Sequence, residues 1–261
     1  MELGLAGRRV LVTGSYRGTG AATARVLASE GAHVIVHGFE LEAAEAVASG
    51  IRRDGCQASA VAGDIRTDDG AARVIEAVAA VDVLVNNYGV AEGGSWQSPA
   101  QDWVDLYQKN VLSAVRMTQG LVPGMREKGF GRVIFLSTTG THRPAARMPH
   151  YYASKTALLN VTLSLAKELA GTGVTVNVVS PGVLATEEVM AGLTRRASRE
   201  GIDTEWPSVE AHAAREWLPN PTGRLGRPEE VGRLVAFLAS EHAGFVNGAN
   251  LRIDGGATDS L

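Results

Sequence analysis

Short aliphatic runs alternate with longer helix-patterned stretches along almost the whole chain, and this rhythm constrains the fold more than any single residue does. The runs are RRVLVT (8–13), AHVIVH (32–37), QASAVAG (57–63), VDVLVN (81–86), GRVIFLS (131–137), VTVNVVS (174–180) and ANLRID (249–254). Most are rich in Val, Ile and Leu without strict alternation, as expected of strands covered on both faces. Helical patterns fall between them, near 18–29, 40–53, 68–79, 100–127, 150–170, 186–200 and 228–239. Such alternation predicts an α/β fold: a doubly wound parallel sheet of about seven strands with helices on both faces.

No Pro/Gly/Ser-rich linker divides the 261 residues, so residues 1–261 are expected to form a single domain. The least regular part, 186–227, holds Trp206, Trp217, Pro207, Pro219 and Pro221 and reads as a lid or substrate-facing excursion, or as a surface insertion. Net charge is −3 with no dense basic run, which argues against nucleic acid or an anionic membrane as partner. Lone Cys56 rules out an internal disulfide and fits a reducing compartment. The opening MELGLAGRRVLVTG lacks a secretory apolar core, and no apolar run reaches the roughly 18 residues of a membrane span. The expectation is a soluble cytoplasmic protein.

The segment VTGSYRGTGAATARVLA follows the first strand and opens the first helix. Gly14, Gly18 and Gly20 allow a tight turn with helix N–H groups left free for an anion such as pyrophosphate, the signature of a Rossmann-type dinucleotide site. An acidic residue at the end of the second strand would accept an adenosine 2′-hydroxyl and repel a 2′-phosphate. VIVHGFE instead places His37, Gly38 and Phe39 there. Arg17 reads as a phosphate ligand or as a solvated loop charge. The absent carboxylate and the present arginine favour NADP(H) over NAD(H). Asp64 in AGDIR is placed to bond the adenine. Asn86 and Asn87 in VNNYG are placed to tie neighbouring strands and loops together.

HYYASK (150–155) sets Tyr151 four residues before Lys155, one turn apart on the same helix face. The fifth strand delivers Ser137 to the same edge. Asn110 lies inside a helical stretch where asparagine is a poor helix former, so it should be bonding something.

These segments, with PGVLAT (181–186), resemble the short-chain dehydrogenase/reductases, single-domain branch, in order and spacing from about residue 7 to LRIDGGAT. The resemblance implies an oxidoreductase in which Tyr151 is the acid/base, Lys155 its partner and a ribose ligand, Ser137 the holder of the substrate oxygen, and Asn110 the support of a proton-relaying water. Tyr152 would be a packing neighbour. The expected cofactor contacts are Gly14, Ser15, Tyr16, Arg17, Gly18, Thr19, Gly20, His37, Gly38, Phe39, Asp64, Ile65, Asn86, Asn87, Tyr88, Gly89, Tyr151, Lys155, Pro181, Gly182, Leu184 and Thr186. Lowering a tyrosine from about 10 to about 7 requires roughly 4 kcal/mol in favour of phenolate. An ammonium at ~5 Å contributes roughly 3 kcal/mol at an effective dielectric of ~20, and an oxidised nicotinamide would supply the remainder.

Substrate selectivity is expected to reside in 186–227 and the loop before Tyr151. The substrate class is a carbonyl or secondary alcohol, with 3-oxoacyl thioesters, sugars, polyols and steroids all open. Metal is not expected, since the histidines show no ligand-like spacing. Tyr16, Thr19 and Tyr88 depart from the smaller or aliphatic residues usual in the family, and Tyr88 reads as narrowing the pocket or as packing. His142, Arg143, Arg147 and His150 flank the mouth, where a solvated loop competes with selection of an anionic substrate. Helix 150–170 is apolar on more than one face, and together with the resemblance this predicts a homotetramer. A nucleotide-binding regulatory protein without turnover, or an NAD(H)-dependent alcohol dehydrogenase, are the alternatives.

Overall fold

The structure is a computed structural model that describes residues 2–259. Seven strands, β1 (Arg9–Val12), β2 (His33–Gly38), β3 (Ala58–Ala62), β4 (Val83–Asn86), β5 (Gly131–Leu136), β6 (Val174–Pro181) and β7 (Asn250–Ile253), form one sheet in the order β3-β2-β1-β4-β5-β6-β7. Every pairing is parallel. The order reverses direction between β1 and β4, which opens a crevice at their carboxyl ends.

The uninterrupted apolar runs are explained by burial on both faces. Val10 and Val12 of β1 pack into one layer with α1 (Gly18–Ser29), α2 (Leu41–Arg53) and α9 (Pro228–Ala239). Leu11, pointing the other way, packs with α3 (Asp68–Val78), α5 (Ser113–Lys128) and α6 (Pro149–Glu168). Each strand therefore feeds two cores, and polar alternation would leave one of them unfilled. Local chemistry sets the helix starts. Thr67 accepts from the Gly70 N–H at 3.1 Å to cap α3, and Thr186 caps α7 (Glu187–Arg199) through the Val189 N–H at 3.4 Å.

Two stretches differ from the sequence reading. Residues 100–127 are not one uniform helix. α4 (Ala100–Tyr107) passes into a π-helical turn, Gln108–Leu112, before α5 begins. The segment 186–227 is more helical than irregular: after α7 it carries α8 (Trp206–His212) and a second π-helical turn, Ala213–Trp217. Pro207 occupies the first turn of α8, where its missing N–H has no helical partner to lose.

Candidate active site

The turn after β1 brings backbone close to backbone. A Cβ at Gly20 would lie 2.5 Å from Asn87 Nδ2 and 2.6 Å from the Gly14 carbonyl, so only glycine fits there. Asn87 does the tying expected of it. Its Nδ2 donates to the Thr13 and Gly14 carbonyls at 2.9 and 3.1 Å, and its backbone N–H donates to Thr13 Oγ1 at 3.1 Å. Asn86 is buried and donates to Thr118 Oγ1 at 3.0 Å, linking β4 to α5.

At the other end of the crevice, β5 and α6 meet. Lys155 is buried, and its ammonium donates to the Leu136 carbonyl at 2.8 Å. Burial pulls its pKa down to about 8. Ser137 is also buried and donates to the Lys155 carbonyl at 3.0 Å. Burial pushes the Tyr151 phenol up to about 12, opposed by a hydrogen bond with the Thr138 side chain. The protein's own groups therefore raise the phenol rather than lower it, so the lowering expected from the sequence would have to come from the bound cofactor. Tyr152 packs its ring over Gly140, where an added Cβ would sit 2.1 Å from the ring edge. Its centroid stands 5.3 Å from that of Tyr151.

Asn110 bonds what its burial demands. It lies in the first π-helical turn, fully buried, and its Oδ1 accepts from the Val90 N–H at 2.7 Å. Its Nδ2 donates to the Val90 carbonyl and to Ser154 Oγ, both at 3.0 Å, while Ser154 donates to the Tyr151 carbonyl at 2.8 Å. Asn110 thus fastens the loop following β4 to α6. A Cβ at Gly89 would fall 2.6 Å from Lys155 Nζ and 3.0 Å from Asn110 Oδ1, which explains the glycine between them.

A cleft of about 1930 Å³ unites these parts. Its walls include Gly14, Tyr16, Arg17, Gly18, Thr19 and Gly20 from the turn; Asn87, Tyr88 and Gly89; Ser137, Tyr151 and Lys155; and Pro181, Gly182, Leu184 and Thr186. The turn leaves this cleft an open floor, because the atom nearest to a Cβ added at Gly18 is Thr186 Cγ2 at 3.9 Å. The wall opposite the catalytic helix carries Trp217, held beneath the Arg196 guanidinium at 4.2 Å. The place of Trp217 in the cleft agrees with a substrate-facing excursion at 186–227, but the helical turn that carries it was not expected.

The remaining expected contacts stand behind the walls. Ser15, His37, Asn86 and Asn110 are buried supports. Phe39 lies behind Tyr88, edge-on at 5.1 Å, so Tyr88 both lines the cleft and packs. Gly38 abuts Tyr16, and Ile65 is in the core. Asp64 is not a free acceptor for adenine. Arg66 grips its carboxylate through two bonds of 2.8 Å, holding it below the usual carboxylate range, and the same guanidinium lies 4.8 Å over the Phe39 ring. Arg17 is likewise engaged, in an exposed ion pair with Glu188 of α7. Sequence spacing gave no sign of either partnership, because the partner sits on another element or in a turn whose path it does not specify.

Residues 14–258 match the family model described as enoyl-(acyl carrier protein) reductase. The chain belongs to the short-chain dehydrogenase/reductase family. It is an NAD(P)(H)-dependent oxidoreductase of that family, and its relatives carry corresponding names. It is 37% identical to the uncharacterized oxidoreductase YvaG of Bacillus subtilis over 100% of both chains. It is 34% identical to D-beta-hydroxybutyrate dehydrogenase of Cupriavidus necator, covering 97% of this chain and 98% of that one. Among solved structures, L-sorbose reductase of Gluconobacter frateurii, complexed with NADPH and L-sorbose, superposes with a TM-score of 0.93 at 30% identity over 100% of both chains. The cleft runs along the β1–β4 crevice from the glycine turn to Tyr151.

Proposed function

We propose that the protein is an NADP(H)-dependent reductase of ketones and dehydrogenase of the matching secondary alcohols, using Ser137, Tyr151, Lys155 and Asn110. The observation that carries this reading is that Ser137, Tyr151 and Lys155 line the same cleft as the glycine turn. The residues present fit a dinucleotide: an open glycine floor, helix N–H groups of α1 for a diphosphate, and a channel that runs on to a phenol. Gly14 to Gly20, Asn87 to Gly89, Lys155 and the segment from Pro181 to Thr186 would hold it. When bound, the nicotinamide supplies or takes up the hydride.

The chain's own groups manage the oxygen and its proton. Ser137 redirects its hydroxyl from the Lys155 carbonyl to the substrate oxygen by turning about one side-chain bond. Tyr151 donates its proton to the same oxygen during reduction and withdraws it during oxidation. Lys155 favours the phenolate, and it stays protonated at neutral pH because its pKa of about 8 lies above 7. Asn110 acts from behind, fixing the backbone at Val90 and, through Ser154, the turn of α6 that carries Tyr151.

The preference for NADP(H) is supported by the missing carboxylate at the end of β2, by Arg17 in the cleft wall, and by the NADPH carried by L-sorbose reductase. The selective surface is proposed to be α7–α8 with Trp217, together with the loop before Tyr151. Residues 1–261 are proposed to act as a single domain. They would assemble as a homotetramer through the outer face of α6, where Leu163 is exposed; light scattering giving a monomer mass at micromolar concentration would reject the tetramer. Tyr151→Phe tests the catalytic reading. Turnover of a ketone panel should collapse while nucleotide binding, followed by nicotinamide fluorescence, persists. Undiminished turnover removes Tyr151 from the reaction.

A further inference from the structure

His37 was expected to touch the cofactor from the end of β2, but it cannot, because it is fully buried. Its ring instead joins two segments that the nucleotide needs. The Gly14 N–H, at the start of the glycine turn, donates to Nδ1 at 3.0 Å. Nε2 lies 3.0 Å from the Gly63 carbonyl, the residue before Asp64. A backbone N–H can only donate, so Nδ1 carries no proton and the tautomer is fixed: Nε2–H donates to Gly63. Around the ring, Ser15 and His37 exchange two more bonds. The Ser15 N–H donates to the His37 carbonyl at 2.9 Å, and the His37 N–H donates to Ser15 Oγ at 3.0 Å.

We propose that His37 is a positioning residue for the cofactor: its neutral imidazole sets the diphosphate turn and the Asp64 segment at the spacing that one dinucleotide spans. The inference rests on the dinucleotide reading above. Its physical basis is that Gly14 and Gly63 end two strands, β1 and β3, that are not neighbours in the sheet; β2 lies between them. Beyond the strand ends, backbone bonds tie Ser15 to His37 and Gly63 to Gly38, each to β2, and the ring adds the direct link between the two outer segments, one acceptor for Gly14 and one donor for Gly63. Burial accounts for the neutral form, pulling the imidazole down to about 4 against the opposing pull of the Gly63 bond and the Asp64 charge.

The two nitrogens can be removed one at a time. His37→Asn places an amide oxygen at the δ position and keeps an acceptor for Gly14. His37→Gln places an amide at the ε position, which reaches Gly63 but offers Gly14 nothing. His37→Leu removes both. Oxidised NADP and NAD are titrated calorimetrically into each folded variant, and steady-state constants are measured alongside. All three variants break at least one end of the span, so each should bind the preferred nucleotide more weakly, by roughly tenfold for Leu, with the nucleotide KM raised and kcat at saturation within about twofold. A purely structural role would lower the folded fraction and leave KM unchanged. Folded Asn, Gln and Leu variants with wild-type affinity overturn the proposal, as does a single-ended variant, Asn or Gln, that binds as tightly as the wild type. If Gln and Leu do not fold, histidine-15N resonances of the wild-type protein decide: a proton on Nδ1 in the nucleotide complex overturns it, and a bare Nδ1 there sustains it. A wild-type protein that binds neither nucleotide would instead defeat the dinucleotide reading itself.

Discussion

The two ends of the cleft are built on opposite plans. At the catalytic end, Lys155 and Ser137 are fixed by main-chain carbonyls, Leu136 and Lys155, so their charge and hydrogen-bonding capacity are not cancelled by another side chain. At the adenosine end, charged groups meet each other: Asp64 is spent on Arg66, and Arg17 on Glu188. The first arrangement keeps a site chemically ready at the expense of burying an ammonium. The second keeps exposed charges neutral until a ligand displaces one partner, at little cost because such pairs are weak in water. A catalytic group needs a fixed environment, whereas a binding group can exchange one partner for another.

Loss of the phenol should widen this contrast most. Tyr151→Phe is expected to lower kcat by roughly a thousandfold, within the range attributed to a positioned acid/base, with nucleotide affinity changed only a few-fold. Steady-state rates and fluorescence titration check it, and a comparable loss of affinity would show that the two ends are not separable.

Asn110→Leu comes next. It strands the Val90 N–H and carbonyl in a buried setting and should cost about 2–4 kcal/mol of stability, read as a fall in the thermal midpoint of several degrees. Arg66→Gln, at the other end, should change stability by less than about 1 kcal/mol because its partner pair is partly exposed. Equal losses at the two sites would erase the distinction between a buried fixed end and an exposed exchangeable one.

A third test is acidity. The unfolded chain protonates His37 near 6.5 and the folded chain only near 4, so between these values the unfolded state binds more protons. Stability should therefore be intact above pH 6.5 and decline as the pH falls toward 4, by about 3 kcal/mol from this group. Denaturant unfolding of the wild type and His37→Asn across that window isolates the contribution. A slope unchanged by the substitution would assign the acid sensitivity elsewhere.

The smallest expected effect concerns Glu188. Releasing Arg17 by Glu188→Gln should tighten NADP(H) by about two- to threefold, the scale of an exposed ion pair, and leave NAD(H) unchanged. Equal changes for both nucleotides would mean that Arg17 does not sense the 2′-substituent.

The same contrast explains what could be read from the sequence. The helix carrying Tyr151 and Lys155 was legible from its pattern, and both residues line the cleft; the seven strands were legible because two-sided burial leaves an unbroken apolar string. Asn110 was legible as a misfit: an asparagine inside a helix must be bonding something, and Val90 proved to be its partner. His37 was expected at the cofactor and is instead buried beneath the glycine turn, while Asp64 sits at the expected strand end with Arg66 as an unforeseen partner. Which atoms an imidazole or carboxylate meets depends on side chains contributed by other elements, such as the Gly14 turn, or by a local turn such as that of Arg66. Trp217 was expected only as part of an irregular, substrate-facing excursion; the helix that leads to it, which Pro207 helps to begin, was not legible there.

That indole gives the molecule an optical consequence. Trp217 forms part of the cleft wall, and indole emission overlaps the absorption band of a reduced nicotinamide but not of an oxidised one. If the cleft takes a dinucleotide as proposed, the reduced form should quench tryptophan emission by resonance transfer and the oxidised form should not. The protein would then carry an internal dye for the redox state of its guest, and Trp217→Phe should dim that signal.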